Sequence, residues 1–251
     1  MAVDIGPFAI AQTVVAKGDI DVNVARHVAL AQAAADEGAR LVLFPELALT
    51  GYEPALAAGL ALNVDDARLT PLREAAMRYG IVLVTGAPLK SAGPPRIAAL
   101  SFLPDGTVKV YTKQHLHPGE DAAFAAGDGG PALQLDGASV ALAVCADVAH
   151  AEHPAAASRW GAHLYAASML VSEHGYENDA ALLRAYAREY RMPVAMANHG
   201  GPTGGWASAG RSALWDENGT AVIAAPGSGE CLLLARRDGA GWHARMIDTP
   251  A

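Results

Sequence analysis

Three residues whose side chains suit chemistry each come at the end of an apolar run: Glu46, Lys113 and Cys145. The apolar runs predict buried strands and cover residues 41–44, 108–111 and 140–144. A carboxylate, an ammonium group and a thiol presented where strands end could act as a base, a cation and a nucleophile. Together they predict covalent attack on a carbon–nitrogen bond.

The context of Cys145 favours a nucleophile over a small core residue. The chain leaves the predicted strand 140–144 at this cysteine and turns towards a helix through Ala146 and Asp147. Backbone N–H groups at such a turn can bind an oxyanion, and the positive end of the turn is expected to lower the pKa of the thiol. Cys231 lies in a C-terminal strand without such a turn and is interpreted as structural.

The surroundings of Glu46 favour a general base. Pro45 precedes it and cannot donate a ladder hydrogen bond, so the strand should stop and present the carboxylate at its rim. Leu47, Leu49 and Tyr52 add apolar bulk on the other side. Partial desolvation is expected to raise the pKa of the carboxyl group, which suits proton abstraction.

Lys113 is followed seven residues later by a second carboxylate, Glu120, and then by the aromatic Phe124. A lysine held between two carboxylates stays protonated and can stabilise a tetrahedral intermediate. The sequence therefore predicts that Glu46 and Glu120 flank the Lys113 ammonium.

The composition bounds the class of protein. The 251 residues are 52% hydrophobic and 18% charged, with a net charge of −8, so a sizeable core is available. An acidic chain whose longest basic cluster is residues 236–237 is not expected to bind nucleic acid. Two distant cysteines, no basic-then-apolar leader and no run of about 20 apolar residues predict a cytoplasmic protein without a disulfide framework or membrane partner.

Strand and helix patterns alternate along the whole chain, which predicts an α/β fold with mixed sheets in one domain, residues 1–251. Asp-Gly turns predict hairpins around residues 104–106 and 136–137. Helices are expected over residues 21–37, 65–79, 151–160 and 177–191. Further strands are expected over residues 8–13, 81–85, 163–167, 193–197, 209–215, 220–225 and 231–235.

Four segments in order make the chain resemble the nitrilase superfamily of carbon–nitrogen hydrolases. The segments are residues 43–52, 111–116 followed by Glu120 and Gly127, 144–147, and 208–212 followed by residues 216–219. The resemblance implies an α-β-β-α sandwich with two mixed β-sheets that pairs with a second copy into four layers, as a homodimer or higher homo-oligomer. It implies no cofactor and a small-molecule amide as the partner.

The resemblance also implies roles for single residues. Glu46 would be the general base, Lys113 the electrostatic stabiliser and Cys145 the nucleophile, with Glu120 positioning the lysine or the substrate. The Ala146 N–H would help to bind the oxyanion.

The chain departs from the family pattern just after Cys145. Ala146 stands where an aromatic residue is frequent, and an arginine common a few positions later is replaced by the stretch 149–153. Tyr52 and Met169 are candidate substrate-binding residues, and small side chains in residues 151–157 are expected to trim the pocket with Met169. An amidase is the favoured activity, and an N-carbamoyl amino acid amidohydrolase or a nitrilase is the alternative.

Three other classes were weighed against this hypothesis. A metallohydrolase would have to use the pairs His115 with His117 or His150 with His153, but no His-Glu-x-x-His run exists and no metal is predicted. A serine hydrolase lacks the Gly-x-Ser-x-Gly elbow around Ser208. A catalytically silent binding protein of the same fold remains the non-enzyme alternative.

Overall fold

The computed structural model describes residues 4–249, excluding the side chain of Asp248, and within them forms five α-helices and thirteen strands. The helices are α1 (Ile20–Asp36), α2 (Ala57–Leu60), α3 (Thr70–Tyr79), α4 (Glu152–Arg159) and α5 (Tyr176–Tyr190). The strands are β1 (Ile5–Gln12), β2 (Leu41–Leu43), β3 (Val82–Leu89), β4 (Arg96–Phe102), β5 (Val108–Thr112), β6 (Leu133–Leu135), β7 (Ala138–Val144), β8 (Leu164–Ser168), β9 (Val194–Ala197), β10 (Ala213–Trp215), β11 (Ala221–Ala224), β12 (Cys231–Asp238) and β13 (Gly241–Asp248). Short 3₁₀ helices cover Pro54–Leu56, Ala67–Leu69, Glu120–Ala122 and Cys145–Ala149.

The strands form two mixed sheets, as the hairpins among the crossover units predict. The first sheet has the order β13-β12-β1-β2-β3-β4-β5, and the second has the order β11-β10-β9-β8-β7-β6. Parallel pairs occupy the middle of each sheet, β1 with β2 and β2 with β3 in the first, and β7 with β8 and β8 with β9 in the second. Since parallel strands are normally buried on both faces, this arrangement requires cover on both sides of each sheet.

Three apolar clusters provide that cover and define the layers. One cluster joins residues of both sheets, for example Ile10 and Leu43 of the first with Leu142 and Leu164 of the second. A second packs α1 and α3 on the other face of the first sheet, and a third packs α4 and α5 on the other face of the second sheet. The layers therefore follow the order α-β-β-α, which confirms the predicted sandwich.

Local sequence signals explain several element ends. Asp19 caps α1 by accepting a hydrogen bond from the Val22 N–H, and Gly80 ends α3 in the left-handed region at φ 63°. Asp136 and Gly137 both have positive φ, 49° and 90°, between the paired ends of β6 and β7. That geometry is the tight hairpin turn that an Asp-Gly pair favours.

Some expectations about elements were wrong, and one strand was not predicted. The helix predicted over residues 65–79 begins only at Thr70, because Asp66 caps a separate 3₁₀ turn and Pro71 lies in the first turn of α3. The run 108–111 is an edge strand whose first three residues are only partly buried. Strand β13 was not predicted from the sequence. It pairs on one side only, with β12, and most of its described side chains are exposed.

No helix within residues 4–249 combines the length and the apolar character needed to cross a bilayer.

Candidate active site

The segment that carries Glu46 is fixed to the first sheet by backbone contacts. The Phe44 N–H donates to the Val84 carbonyl at 2.9 Å, and the Leu49 N–H donates to the Gly86 carbonyl at 3.0 Å. A Cβ on Gly86 would lie 2.2 Å from the Leu47 nitrogen, so only glycine allows the segment to approach β3 this closely. The strand β2 ends at Leu43, two residues before Pro45, and the Glu46 side chain is fully buried.

The second sheet holds the same segment from the opposite side. The Ser168 hydroxyl at the end of β8 donates to the Phe44 carbonyl at 2.8 Å. His199, just after β9, lies with Nε2 2.7 Å from the Glu46 carbonyl, so Nε2 carries the proton and donates. Burial lowers the pKa of His199 to about 4, which keeps the ring neutral near pH 7. Glu46 is therefore clamped between the two sheets.

Lys113 lies directly after β5 and is fully buried. Its N–H donates to the Ile97 carbonyl at 2.8 Å, and its carbonyl accepts from the Gly127 N–H at 2.7 Å. The ammonium Nζ lies 2.8 Å from Glu46 Oε1 and 2.8 Å from Glu120 Oε1. The two carboxylates thus flank the lysine as the sequence predicts.

Glu120 is the first residue of a short 3₁₀ helix, and its carboxylate accepts three hydrogen bonds, one from each of three neighbours. Its Oε1 accepts from the Tyr52 hydroxyl at 2.9 Å as well as from Lys113, and its Oε2 accepts from the His117 N–H at 2.7 Å. The glutamate is buried. Because all these partners are donors, the ionised form of Glu120 is satisfied in place.

Cys145 begins the 3₁₀ helix that follows β7, in an unusual backbone conformation. Its φ is 43°, in the left-handed region that costs a non-glycine residue energy. The thiol Sγ lies 3.9 Å from the Leu170 carbonyl and lines a cavity together with Glu46 and Glu120. The structure thus brings the strand ends of both sheets to one place, with β2 and β5 from the first sheet and β7 from the second.

The electrostatics of the cluster correct one expectation. Burial raises the pKa of the Cys145 thiol, and the Glu46 carboxylate adds to this effect while Lys113 opposes it. The prediction that the turn would lower the pKa of the thiol was therefore wrong, because burial and a neighbouring anion outweigh the positive end of a single short turn. The resting side chain of Cys145 is therefore expected to be a neutral thiol.

The pKa values of Glu46 and Lys113, the two charged groups beside the thiol, are also shifted. Burial raises the pKa of Glu46, although Lys113 acts against it, and this agrees with the sequence prediction. Burial alone would lower the pKa of Lys113, but Glu46, Cys145 and Glu120 together raise it. The arrangement combines a charged lysine with a buried carboxylate that gains protons readily, so it can move a proton from a thiol and stabilise a new negative charge.

The cavity has a volume of about 370 Å³ and is lined by predicted and unpredicted residues. Tyr52, Ala146 and Met169, the predicted substrate-binding residues, all lie in its wall. Small side chains of Ala146 and Ala149 stand where the sequence departs from the family pattern. The segment 151–157 does not contribute to this wall, so that part of the expected trimming was wrong. The remaining lining includes Leu116, His117, Val148, His150, Ser172, Asp179 and Trp206.

Asp147 organises the site, although its sequence context predicts no role for it. Its Oδ1 accepts from the backbone N–H groups of Gln114 and His115 at 3.0 and 2.9 Å, and its Oδ2 accepts from the Tyr111 hydroxyl at 2.7 Å and the Val144 N–H at 3.1 Å. These donors flank Lys113 on one side and Cys145 on the other. The signal available in the sequence was its position two residues after the cysteine.

The histidines near the site do not form the two pairs suggested by the sequence, His115 with His117 and His150 with His153. His115 stacks on His150 with ring centroids 3.7 Å apart, and Glu152 lies beside both. His153 instead lies between the hydroxyls of Tyr111 and Tyr165, at 2.7 and 2.8 Å. Within residues 4–249, His115, His150 and Glu152 are the group whose donor atoms could hold a metal ion.

The fold resembles that of solved amidase structures. A cysteine-to-alanine variant of the amidase from Nesterenkonia sp. AN1 in complex with butyramide superposes with a TM-score of 0.85 at 30% identity, covering 93% of this chain and 90% of that chain. A glutamate-to-glutamine variant of the same amidase, with acrylamide added to its active-site cysteine, gives a TM-score of 0.84 at 30% identity and covers 91% and 92% of the two chains.

A shorter similarity links the chain to a larger enzyme. The glutamine-dependent NAD(+) synthetase of Xylella fastidiosa (strain Temecula1 / ATCC 700964) is 40% identical over 104 residues. The match spans 39% of this chain and only 18% of the synthetase. The similarity therefore concerns a fraction of that protein.

The carbon–nitrogen hydrolase family model matches residues 8–244, which is nearly the whole chain and includes all four residues of the buried cluster. The amidase structures cover 91% and 94% of this chain. The chain belongs to the carbon–nitrogen hydrolase family.

Proposed function

We propose that the chain is a cysteine-dependent amidase that releases ammonia from a small amide through a thioester intermediate. The observation that carries the proposal is the convergence of Glu46 and Cys145 on one cavity, with the Lys113 ammonium bonded to Glu46 behind them. The related amidase structures, one with butyramide and one with acrylamide on the cysteine, support the choice of amides as the substrate class.

The reaction begins with proton transfer. Glu46 takes the proton of the Cys145 thiol as Sγ attacks the amide carbonyl carbon, and the C=O electron pair moves to the oxygen. The Lys113 ammonium stabilises this oxyanion together with the Ala146 N–H, which lies in the first turn of its short helix and so has no carbonyl partner within it. The proton on Glu46 then passes to the nitrogen, the C–N bond breaks, and ammonia leaves a thioester on Cys145.

Hydrolysis of the thioester uses the same groups. Glu46 removes a proton from a water molecule that attacks the thioester carbonyl, and Lys113 again faces the oxyanion. The C–S bond breaks, the carboxylic acid leaves, and Glu46 returns the proton to Sγ. The raised pKa values of the thiol and of Glu46 fit this cycle, because the thiol needs a base beside it and the base must hold a proton between steps.

The charge of the cavity bears on the choice among amides. Asp179, in the first turn of α5, lines the cavity along with Glu46 and Glu120, and burial raises the pKa of Asp179. Among the described residues no lysine or arginine lines this cavity. A substrate carboxylate would therefore enter without a cation to pair with, and we propose that neutral or amine-bearing amides are preferred.

A carbamoylase substrate would need a cation for its carboxylate, and the arginines in this part of the chain, Arg159, Arg184, Arg188 and Arg211, lie elsewhere. Arg211 is 3.4 Å from Glu177 and stacks over Tyr176, and Arg159 lines a separate cavity. Arg184 and Arg188 lie against the turn at Gly219. Their placement weighs against the N-carbamoyl amino acid alternative, whose substrates carry a carboxylate.

The test is ammonia release across a panel of aliphatic amides, amides bearing a distal amine or a distal carboxylate, nitriles, N-carbamoyl amino acids and glutamine. We expect turnover of small amides, complete loss in Cys145→Ala with retained folding, and an acyl adduct on Cys145 by mass spectrometry. Amide hydrolysis by Cys145→Ala at the wild-type rate would exclude this mechanism, and a fully inert wild-type protein across the panel would favour the silent binding protein.

Asp179→Asn tests the charge preference separately. The ratio of kcat/KM for an amine-bearing amide to that for a carboxylate-bearing amide of equal length should fall about fivefold, the scale of a partly exposed ion pair. Glu173→Gln, an exposed acid on the neighbouring loop, serves as the matched control and should leave the ratio unchanged. A wild-type preference for the carboxylate-bearing amide would reverse the assignment.

We also propose that the chain acts as one domain and assembles as a homodimer or higher homo-oligomer. Trp160, at the end of α4 in the outer helical layer, is 51% exposed and would be covered by a partner bound to that layer. Light scattering coupled to size exclusion measures the mass directly. A fully active monomer at assay concentrations would contradict the assembly, and two separate unfolding transitions would contradict the single domain.

A further inference from the structure

Three side chains of types that can bind a metal ion, His115, His150 and Glu152, lie together beside the cavity of the site, and His150 also lines that cavity. His150 Nδ1 lies 3.6 Å from Glu152 Oε1, and His115 Nε2 lies 4.0 Å from the same oxygen. The three donor atoms all lie within 4.8 Å of one another. Ligand atoms bound about 2 Å from one tetrahedral ion are roughly 3.3 Å apart, so a small closure of these side chains would bring the donors to ligand spacing.

The orientation of His115 is already set for ligation. Its Nδ1 lies 3.2 Å from Asp147 Oδ1, and the same oxygen accepts the His115 backbone N–H. An Nδ1–H held by a buried carboxylate leaves the lone pair on Nε2, the atom that faces Glu152. Histidine ligands of metals are commonly held by a carboxylate in this way, which fixes the tautomer and makes the ring a stronger ligand.

The other two ligands can reach a common point. The side chains of His150 and Glu152 are 42% and 70% exposed, so both can turn without disturbing the core. The His150 ring is stacked on His115 at an angle of 15° and must rotate out of the stack for its lone pair to point at the ion. Glu152 begins α4, where its carboxylate is free to adopt a new rotamer.

We propose that His115, His150 and Glu152 form an accessory site for a divalent transition-metal ion of the Zn²⁺ class. Two imidazoles and a carboxylate match the ligands of that class, whereas Mg²⁺ and Ca²⁺ prefer oxygen ligands alone. Water completes the coordination shell from the solvent side.

The position of the site couples the ion to hydrolysis. His115 lies two residues after Lys113, and His150 ends the segment that begins at Cys145 and also lines the cavity. An ion bound here links the two loops and draws His150 from its place in the cavity wall. Zinc occupancy therefore lowers kcat/KM for the amide without touching the nucleophile.

Zinc binding is measured by calorimetry on the full chain carrying Cys145→Ala, so that the thiol cannot act as the ligand. We expect one ion per chain, and Glu152→Gln or His115→Gln in that background should weaken binding about tenfold or more. His243→Ala is the matched control, because His243 is an exposed histidine 3.1 Å from Asp238 but has no second histidine beside it, and it should leave binding unchanged. Thermal melts report whether each variant is folded.

A folded Cys145→Ala chain that binds no zinc, or binds it equally well with Glu152→Gln, overturns the site. In the chain with Cys145 intact, Glu152→Gln should raise the zinc concentration needed for half-inhibition about tenfold, and EDTA should restore the rate. Inhibition unchanged by Glu152→Gln would mean that the ion acts at Cys145 and would overturn the coupling.

Discussion

Two buried carboxylates, Glu46 and Asp147, lie on either side of the Lys113 and Cys145 loops and differ in how their oxygens are occupied. Both are fully buried. Asp147 accepts from three backbone N–H groups and the Tyr111 hydroxyl, with donors on both oxygens. Glu46 accepts from Lys113 on Oε1, whereas Oε2 has no hydrogen-bond partner of standard geometry in the described chain.

The number of hydrogen-bond donors distinguishes Asp147, a carboxylate that holds the structure together, from Glu46, the carboxylate that we propose to react. A buried carboxylate surrounded by donors is stabilised as an anion and holds the segments that supply those donors. A buried carboxylate with few donors is costly as an anion and takes up a proton readily, which is why burial raises the pKa of Glu46. The same residue class therefore serves positioning at Asp147 and, in our proposal, proton transfer at Glu46.

Replacing the reactive carboxylate should give the largest effect. Glu46→Gln keeps the shape but removes the base, and we expect kcat to fall about 10²–10⁴-fold. Stability should stay within about 1 kcal/mol, since Lys113 keeps its bond to Glu120 and one buried charge is removed. Steady-state kinetics and urea denaturation measure the two quantities.

The control for this variant is Glu53→Gln. Glu53 pairs with the exposed Lys17 outside the cavity, so its replacement should leave kcat unchanged. Near-normal turnover in Glu46→Gln would remove the distinction between the two carboxylates.

Replacing the structural carboxylate should instead act on stability. Asp147→Asn places an amide where several donors converge, and we expect a loss of about 3 kcal/mol in the free energy of unfolding. The fall in kcat should be smaller than in Glu46→Gln, because Asp147 acts through the loops. The control is Asp216→Asn, because Asp216 accepts two backbone N–H groups in an exposed turn. This substitution should lower the free energy of unfolding by less than about 1 kcal/mol. Wild-type stability with collapsed turnover would show that Asp147 takes part in the chemistry.

The pH dependence sharpens the same comparison. Glu46 must be ionised to act, and its pKa is raised, so kcat/KM should fall with decreasing pH at a value above the ordinary glutamate pKa of about 4.3. Since the pKa values of the thiol and of Lys113 are both raised, the rate should show no step near the ordinary cysteine pKa of about 8.5. A rise centred there would mean that free thiolate is the nucleophile and that Glu46 is not its base.

The smallest expected effect concerns the second carboxylate of the cluster. Tyr52→Phe removes one donor to Glu120, which keeps Lys113 and the His117 N–H. If the lost hydrogen bond contributes about 1 kcal/mol to the stabilisation of the transition state, kcat/KM should fall about fivefold. Tyr79→Phe, which removes a 3.3 Å bond to Gln32 far from the cavity, is the matched control. A loss as large as that of Glu46→Gln would assign the Tyr52 hydroxyl a direct part in the reaction.

Much of the site could be predicted because its residues sit at local signals. An apolar run followed by Pro45 ends a strand wherever it folds, and the position of Cys145 after residues 140–144 fixes a turn there. Asp147 escaped prediction because its donors come from separate segments, and no local pattern records that they meet. β13 escaped because an exposed edge strand carries little apolar periodicity.

The sequence by itself determined the α/β pattern, the order of the four site residues and the chemistry that their types allow, since these depend on periodicity, turns and side-chain identity. The tertiary structure alone decided the direction of the thiol pKa, the acidic character of a cavity that no arginine among residues 4–249 lines, and the different hydrogen bonding of Glu46 and Asp147. The burial of each group and the number of hydrogen-bond donors around it determine these pKa shifts and hydrogen bonds. Both depend on how segments distant in the chain, from the two sheets and their loops, pack around each group.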